Sequence, residues 1–221
     1  MCYNKSRNQI GERDYKRPPE RSERLCQASF GGFFYCEVMV LQGKVKVIPA
    51  IRDVSTVDLA AASPSKIVFI LSGSIMEVED VVLELKKKDK IVFVHIDLVK
   101  GLKTDKFSLE FLKERVGADG IISTHIALLK QARKMGLYII QRLFLVDSNA
   151  LINGISQAND LSPDFLEILP GISPELTREA CSRFNGKVIA GGLVRTREHV
   201  EQAIKAGAVA VSTSKTDLWD L

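Results

Sequence analysis

From Lys44 to the C-terminus, apolar and polar positions recur with a regular spacing. A short apolar run comes first, then a polar turn, then a segment whose apolar residues return every three or four positions. The runs are VKVIPAI (45–51), KIVFIL (66–71), KIVFVHID (90–97), GIIS (120–123), LYIIQRLFL (137–145), FLEILPG (165–171), KVIAGG (187–192) and AVAVST (208–213). After them come VSTVDLAAA, VEDVVLELKKK, DKFSLEFLKERV, IALLKQARKM, SNALINGISQAN, SPELTREACSRF, TREHVEQAIKA and a short tail, TDLWDL. Val- and Ile-rich runs that are apolar on both faces suit a parallel sheet covered by helices. Eight such units predict an α/β fold, a (β/α)8 TIM-type barrel with short loops over residues 44–221. An open doubly wound sheet is the rival; eight similar units without a clear switch point argue against it. Ser173-Pro174 and Thr196 fit helix starts, and Gly136 and Gly207 fit helix ends.

Residues 1–43 lack this rhythm. NKSRNQIGERDYKRPPERSERL is polar, of mixed charge and broken by Pro18-Pro19, so it reads as a disordered or loosely docked N-terminal extension. FGGFFYCEVMVL, which follows, is apolar and broken by glycine, suited to docking on the domain or on a partner; Met39 offers an alternative start.

Composition narrows the function. With 221 residues and 46% hydrophobic content the chain can bury one sizeable core. A net charge of +4 announces no strong basic field and usually reflects a solvated surface. ELKKKDK reads most simply as the solvated end of the second helix, with contact to RNA backbone as the alternative. No zinc finger, RRM signature, KH loop or aromatic-interleaved basic stripe is present. No apolar run approaches the roughly 20 residues that span a bilayer, and the N-terminus lacks a secretory signal core, so no membrane partner is expected. Cys2, Cys26, Cys36 and Cys181 form no C-x-x-C pair and no metal-like spacing with His95, His125 or His199. The expectation is a reduced, cytoplasmic protein without a metal or cofactor.

In a barrel of this kind the functional groups collect at the C-terminal ends of the strands. In order these ends carry Arg52 and Asp53; Ser72-Gly73-Ser74; His95 and Asp97, then Lys100 to Lys103; Ser123-Thr124-His125; Gln141 and Arg142; Glu167 and Pro170-Gly171; Gly191-Gly192; and Ser212-Thr213-Ser214. Two glycines after the seventh strand remove side chains that would block an anion and let amides point at phosphate oxygens. Ser212, Thr213 and Ser214 after the eighth add hydroxyls and amides, and a short helix near Thr216-Asp217 adds its positive end. Phosphate binding at Gly191, Gly192, Ser212, Thr213 and Ser214 is the expectation, since these two loops are the recurrent phosphate position of the architecture. A lone Gly-Gly, by contrast, is usually a turn.

His95 and Asp97 are two apart, so an extended strand points them to one side. Asp97 is suited to accept from a ligand hydroxyl, or to pair with a nearby Arg or Lys. His95 reads as a hydrogen-bonded core histidine. Glu167 between apolar neighbours needs a partner, and Arg142 on the preceding strand is a candidate. Gln141 and Arg142 have opposite parity and cannot both face inward without a bulge.

Taken together, IPAIRD, HIDLVKGL, DGIIST, LYIIQRLFLVDS, EILPGI, IAGGLVRT, VEQAIKAGAVAVSTS and the terminal LW resemble the glycerol uptake operon antiterminators, in order and with few gaps from about Lys46 onward. That resemblance implies a barrel that binds glycerol 3-phosphate and acts on leader mRNA to prevent premature transcription termination. It implies the phosphate at the five positions named above, with Arg52, Asp97, Lys103, Arg142 and Glu167 lining or bracing the glycerol side. Three features depart from the family pattern. Residues 1–43 have no counterpart, His125 stands where an arginine is expected, and Ser72-Gly73-Ser74 replaces a Glu-Thr type strand end. The low net charge requires the RNA surface to be a local patch, which assembly into a homo-oligomer could complete. The rival is an isomerase, aldolase or epimerase acting on a phosphorylated sugar, with Asp97, Lys100 and Glu167 recruited. The D-x-K-x-x-D array of decarboxylase-type barrels is absent.

Overall fold

A computed structural model describes residues 46–221. The N-terminal extension expected over residues 1–43 lies outside the described residues. Eight parallel strands close into a barrel in chain order. They are β1 (Val47–Ile51), β2 (Ile67–Ile70), β3 (Ile91–His95), β4 (Gly120–Ser123), β5 (Tyr138–Phe144), β6 (Phe165–Leu169), β7 (Val188–Gly191) and β8 (Ala210–Thr213), with β8 pairing back to β1. The helices between them are α1 (Val57–Ala62), α2 (Val78–Lys86), α3 (Lys106–Glu110), α4 (Ile126–Lys134), α5 (Ser148–Leu161), α6 (Pro174–Arg183) and α7 (Arg197–Lys205). A 3-10 turn, Thr216–Leu218, takes the place of an eighth helix. The (β/α)8 barrel expected from the run spacing is therefore the fold.

Local chemistry sets the element ends. Ser173 and Thr196 cap α6 and α7 with their hydroxyls, and Pro174 opens α6. Asp147 caps α5 through the amide of Ala150 at 2.7 Å. Gly136 and Gly207 take the left-handed conformation, φ +79° and +112°, just past α4 and α7. The segment read as one helix over 105–116 divides: α3 continues as a wider π turn, Phe111–Val116, which still buries Leu112 and Val116.

Register defines the interior. Ile48, Phe69, Phe93, Ile122, Ile140, Phe165 and Ile189 are fully buried and lie on the inward rows that pairing connects around the barrel. Phe69 and Phe93 meet edge to face, with ring centres 5.9 Å apart. Gly120 makes room for them, since a Cβ there would fall 2.5 Å from the Phe93 ring. Outward-facing Val, Ile and Leu pack against the helices, from Val47 and Val68 through Val92, Ile121 and Ile139 to Val211. A second apolar cluster joins Leu166, Ile168 and Val188 to α5 and α6.

At the N-terminal end of the strands, charges are enclosed in bonds to backbone. Lys90 is buried, and its ammonium donates to the carbonyls of Ser63 and Ser65 at 2.5 and 2.7 Å. It belongs to the run read as a solvated helix end, so that reading fails at Lys90: the side chain turns inward and ties the α1–β2 loop to β3. Asp119 accepts from the Val92 amide at 2.7 Å and pairs with Lys86. Asp164 accepts from the Ile139 amide at 2.7 Å.

Candidate functional site

A cavity of about 650 Å3 opens at the C-terminal end of the barrel. Of the residues expected to bind ligand, Arg52, Arg142, Glu167, Gly192, Ser212, Thr213 and Ser214 line it. Arg195 and Lys215, from the loops after β7 and β8, line it as well. Asp97 and Lys103 are not part of the lining, and neither is Gly191. Another hollow, about 510 Å3, runs along α7 beside Lys46. It gathers no strand-end groups, so the barrel mouth is the candidate site.

The floor of the mouth is a buried polar network. Arg142 Nε donates to Glu167 Oε2 at 2.7 Å, and Ser212 Oγ donates to Glu167 Oε1 at 2.5 Å. Arg142 is 7% exposed and Glu167 fully buried, so each requires the other. The pairing expected between these two residues therefore forms. Gln141 points away from it: it is buried in register with Ser123 and Leu166, and its Oε1 has no hydrogen-bond partner. The parity conflict is resolved without a bulge, Arg142 inward and Gln141 outward.

The glycine pair after β7 answers first to the protein's own atoms. A Cβ on Gly191 would fall 2.5 Å from Ser212 Oγ and 2.6 Å from Glu167 Oε1. A Cβ on Gly192 would fall 2.8 Å from Leu169 Cδ2, and Gly192 has φ +77°. Leu193 follows with φ +62°, a conformation costing a non-glycine residue roughly 1 kcal/mol. Gly192 and Leu193 thus take consecutive positive-φ conformations where both line the cavity.

The hydroxyls after β8 divide their roles. Ser212 is committed to Glu167. Thr213 Oγ1 donates to the Val194 carbonyl at 2.8 Å and accepts from the Lys215 amide at 3.1 Å. The Thr213 carbonyl accepts from the indole of buried Trp219 at 2.8 Å. Thr213 thus joins the loops after β7 and β8. Ser214 is exposed on the cavity wall.

Asp97 departs from the strand reading. β3 ends at His95, and Asp97 sits in a 3-10 turn, Ile96–Leu98. Its carboxylate accepts from Ser123 Oγ at 2.8 Å and from the Thr124 amide and hydroxyl at 2.9 and 3.1 Å. Among the described residues it pairs with neither Arg nor Lys; it anchors the end of β4. Lys103 is exposed, and its amide donates to Ser108 Oγ. Ser72 bonds the Arg52 carbonyl at 2.6 Å, and Ser74 bonds Glu77 at 2.6 Å.

His95 contradicts the expectation of a hydrogen-bonded core histidine. It is 2% exposed, and its Nδ1 has no partner. Burial, and then the nearby Arg142 cation, pull its pKa from 6.5 down to about 4 against the opposing pull of Asp97. The ring is neutral at physiological pH. Among the described residues no cluster of His, Cys, Asp and Glu could hold a metal ion. Cys181 is half-buried, with its thiol pKa raised by burial, and sits away from the mouth beside Gly207.

The mouth is lined by four cations, Arg52, Arg142, Arg195 and Lys215; Arg142 is paired with Glu167 and Lys215 with Asp217 at 3.0 Å, and Arg52 and Arg195 make no ion pair among the described residues. Arg195 and Lys215 escaped the sequence reading because neither lies on a strand; both follow the phosphate-type loops closely in sequence, which is the signal that could have found them. The model of the glycerol-3-phosphate responsive antiterminators matches residues 47–219. The chain belongs to this family. It is 34% identical to the glycerol uptake operon antiterminator regulatory protein of Listeria monocytogenes str. 4b F2365, at a TM-score of 0.75, covering 80% of this chain and 96% of that one. A glycerol uptake operon antiterminator-related protein of Thermotoga maritima MSB8 is 33% identical, with TM-score 0.71, covering 80% of this chain and 99% of that one. The uncharacterized protein YgcP of Escherichia coli (strain K12) is 39% identical over 175 residues, 79% of this chain and 92% of its own length. No helix among the described residues is long and apolar enough to cross a membrane.

Proposed function

We propose that this antiterminator-family barrel senses glycerol 3-phosphate at its mouth and, when liganded, binds leader mRNA to promote antitermination of glycerol uptake genes. The observation that carries the reading is the gathering of Arg52, Arg142, Arg195 and Lys215 around one cavity, beside the strand-end residues Gly192 and Ser214. A phosphate dianion placed between the loops after β7 and β8 meets Ser214, Arg195 and Lys215, with the backbone at Gly191 and Gly192 behind it. Ser212 serves there through its bond to Glu167, and Thr213 by holding the two loops together. Arg142, fixed through Nε, turns the rest of its guanidinium to the glycerol side, and Arg52 closes the opposite rim. Asp97 and Lys103 act from outside the cavity as braces of the surrounding loops.

A sensor needs only a difference in ligand affinity between two states. The loops after β7 and β8 are joined by side-chain bonds through Thr213, so an anion bridging them would stiffen both. Leader RNA then binds the state with ordered rim loops, as a monomer or as a homo-oligomer.

Calorimetric titration with glycerol 3-phosphate, glycerol and inorganic phosphate tests the ligand. Tight binding of the first alone is expected; equal binding of bare phosphate would contradict the glycerol assignment. A gel-shift titration of the leader transcript then tests the output. Salt-dependent binding enhanced by glycerol 3-phosphate is expected, and absence of binding with and without ligand would overturn it. NMR of the same phosphate esters after incubation would reveal turnover, which would favour the enzyme reading instead.

A further inference from the structure

Buried polar groups in proteins are hydrogen-bonded, and an exception calls for an explanation. His95 is such an exception. The residue is 2% exposed, and its Nδ1 is without a partner among the described residues. It stands on an inward row of β3, in register with Ile122 of β4. His95 is not itself part of the cavity lining, but Leu71, the position just after β2, and Arg142, whose charge acts on the ring, both are. The charge of Asp97 also acts on the ring, while the Asp97 oxygens accept from Ser123 and Thr124. The ring is held between a cation and an anion.

Building on the proposed phosphate site, we infer that His95 is a recognition group for a ligand hydroxyl. In the closed order of strands, β3 lies four positions from β7, on the opposite side of the barrel. A small phosphorylated polyol anchored by its phosphate after β7 and β8 therefore extends its carbon chain across the mouth toward β3. A neutral imidazole offers one donor and one acceptor, and a hydroxyl matches both capacities. An apolar analogue in the same place would leave the ring nitrogens unbonded and the ligand surface unmatched, which is how hydroxyl-specific sites reject analogues. Arg142, which lines the cavity, supplies a second donor to the polyol.

The test is calorimetry on the full chain and its His95→Leu and His95→Gln variants, with glycerol 3-phosphate, n-propyl phosphate and inorganic phosphate. The native chain should prefer glycerol 3-phosphate to n-propyl phosphate. His95→Leu should narrow that preference roughly tenfold, the worth of one good hydrogen bond, by weakening glycerol 3-phosphate alone. His95→Gln, which keeps a donor and an acceptor, should recover part of it. Because His95 Nδ1 has no partner among the described residues, the apo Leu variant should unfold at a temperature no lower than the native chain. An unchanged preference in both variants, with native binding intact, would overturn the role of His95 alone. Failure of the native chain to bind any of the three would instead overturn the phosphate site on which it rests.

Discussion

The two ends of this barrel treat their charged groups in opposite ways. At the N-terminal end of the strands, Lys90, Asp119 and Asp164 are bonded to backbone, each closing one strand or loop onto its neighbour. At the C-terminal end, Arg142 is held to Glu167 through Nε and Lys215 to Asp217, while Arg52 and Arg195 make no ion pair among the described residues. The same fold supports both ends, so the difference lies in what each is for. Saturated charges stabilise; charges left with free capacity can receive a ligand. Glu167 is an informative exception, a buried mouth residue bonded through both carboxylate oxygens.

The strongest way to sharpen this contrast is at that exception. Glu167→Ala leaves Arg142 buried without its counter-ion and should lower unfolding stability by about 3–5 kcal/mol in urea titrations. Adding Arg142→Met should restore much of that loss while abolishing ligand binding. If the single change is tolerated, the floor of the mouth is wetter than its burial implies.

His95 provides the next effect. Its folded pKa, about 4, lies below the ordinary 6.5, so the unfolded chain binds the extra proton between these values. Stability should therefore rise with pH across this window and be lost as pH falls from 6.5 toward 4, by at most about 3 kcal/mol from this group. Urea midpoints between pH 7 and 5 should show the slope, and His95→Leu should flatten it. A slope unaffected by that substitution would assign the titration elsewhere.

Lys90→Met at the opposite end removes two charge-assisted bonds and should cost about 2 kcal/mol, with glycerol 3-phosphate affinity unchanged. The smallest stability effect is expected at the rim. Arg195→Ala should change stability by less than about 0.5 kcal/mol yet weaken ligand binding about tenfold. A rim variant that destabilises without affecting binding, or a Lys90 variant that does the reverse, would break the distinction between the ends.

The barrel was legible because its signal is repeated: eight apolar runs, each apolar on both faces, match β1 to β8 within a few residues. The network on its floor was legible in part, since a glutamate flanked by Leu166, Ile168 and Leu169 demands a cation and Arg142 stood one strand away. What the sequence did not disclose depends on where a strand stops. Asp97 was placed with His95 by strand parity, but the chain turns into a 3-10 turn after His95 and carries Asp97 to β4. The reason for two adjacent glycines was also hidden, because Leu169, Glu167 and Ser212 crowd them from strands distant in sequence. No local pattern distinguishes a histidine with a partner from one without; only the tertiary neighbours of His95 do.

The central claim, that the mouth is a glycerol 3-phosphate receptor, is tested most directly by a crystal structure of the chain grown with that ligand. The account predicts phosphate density between Gly192 and Ser214 within reach of Arg195 and Lys215, with the glycerol hydroxyls directed toward Arg142 and His95. Ligand bound along α7 or elsewhere, with the mouth unaltered, would contradict it.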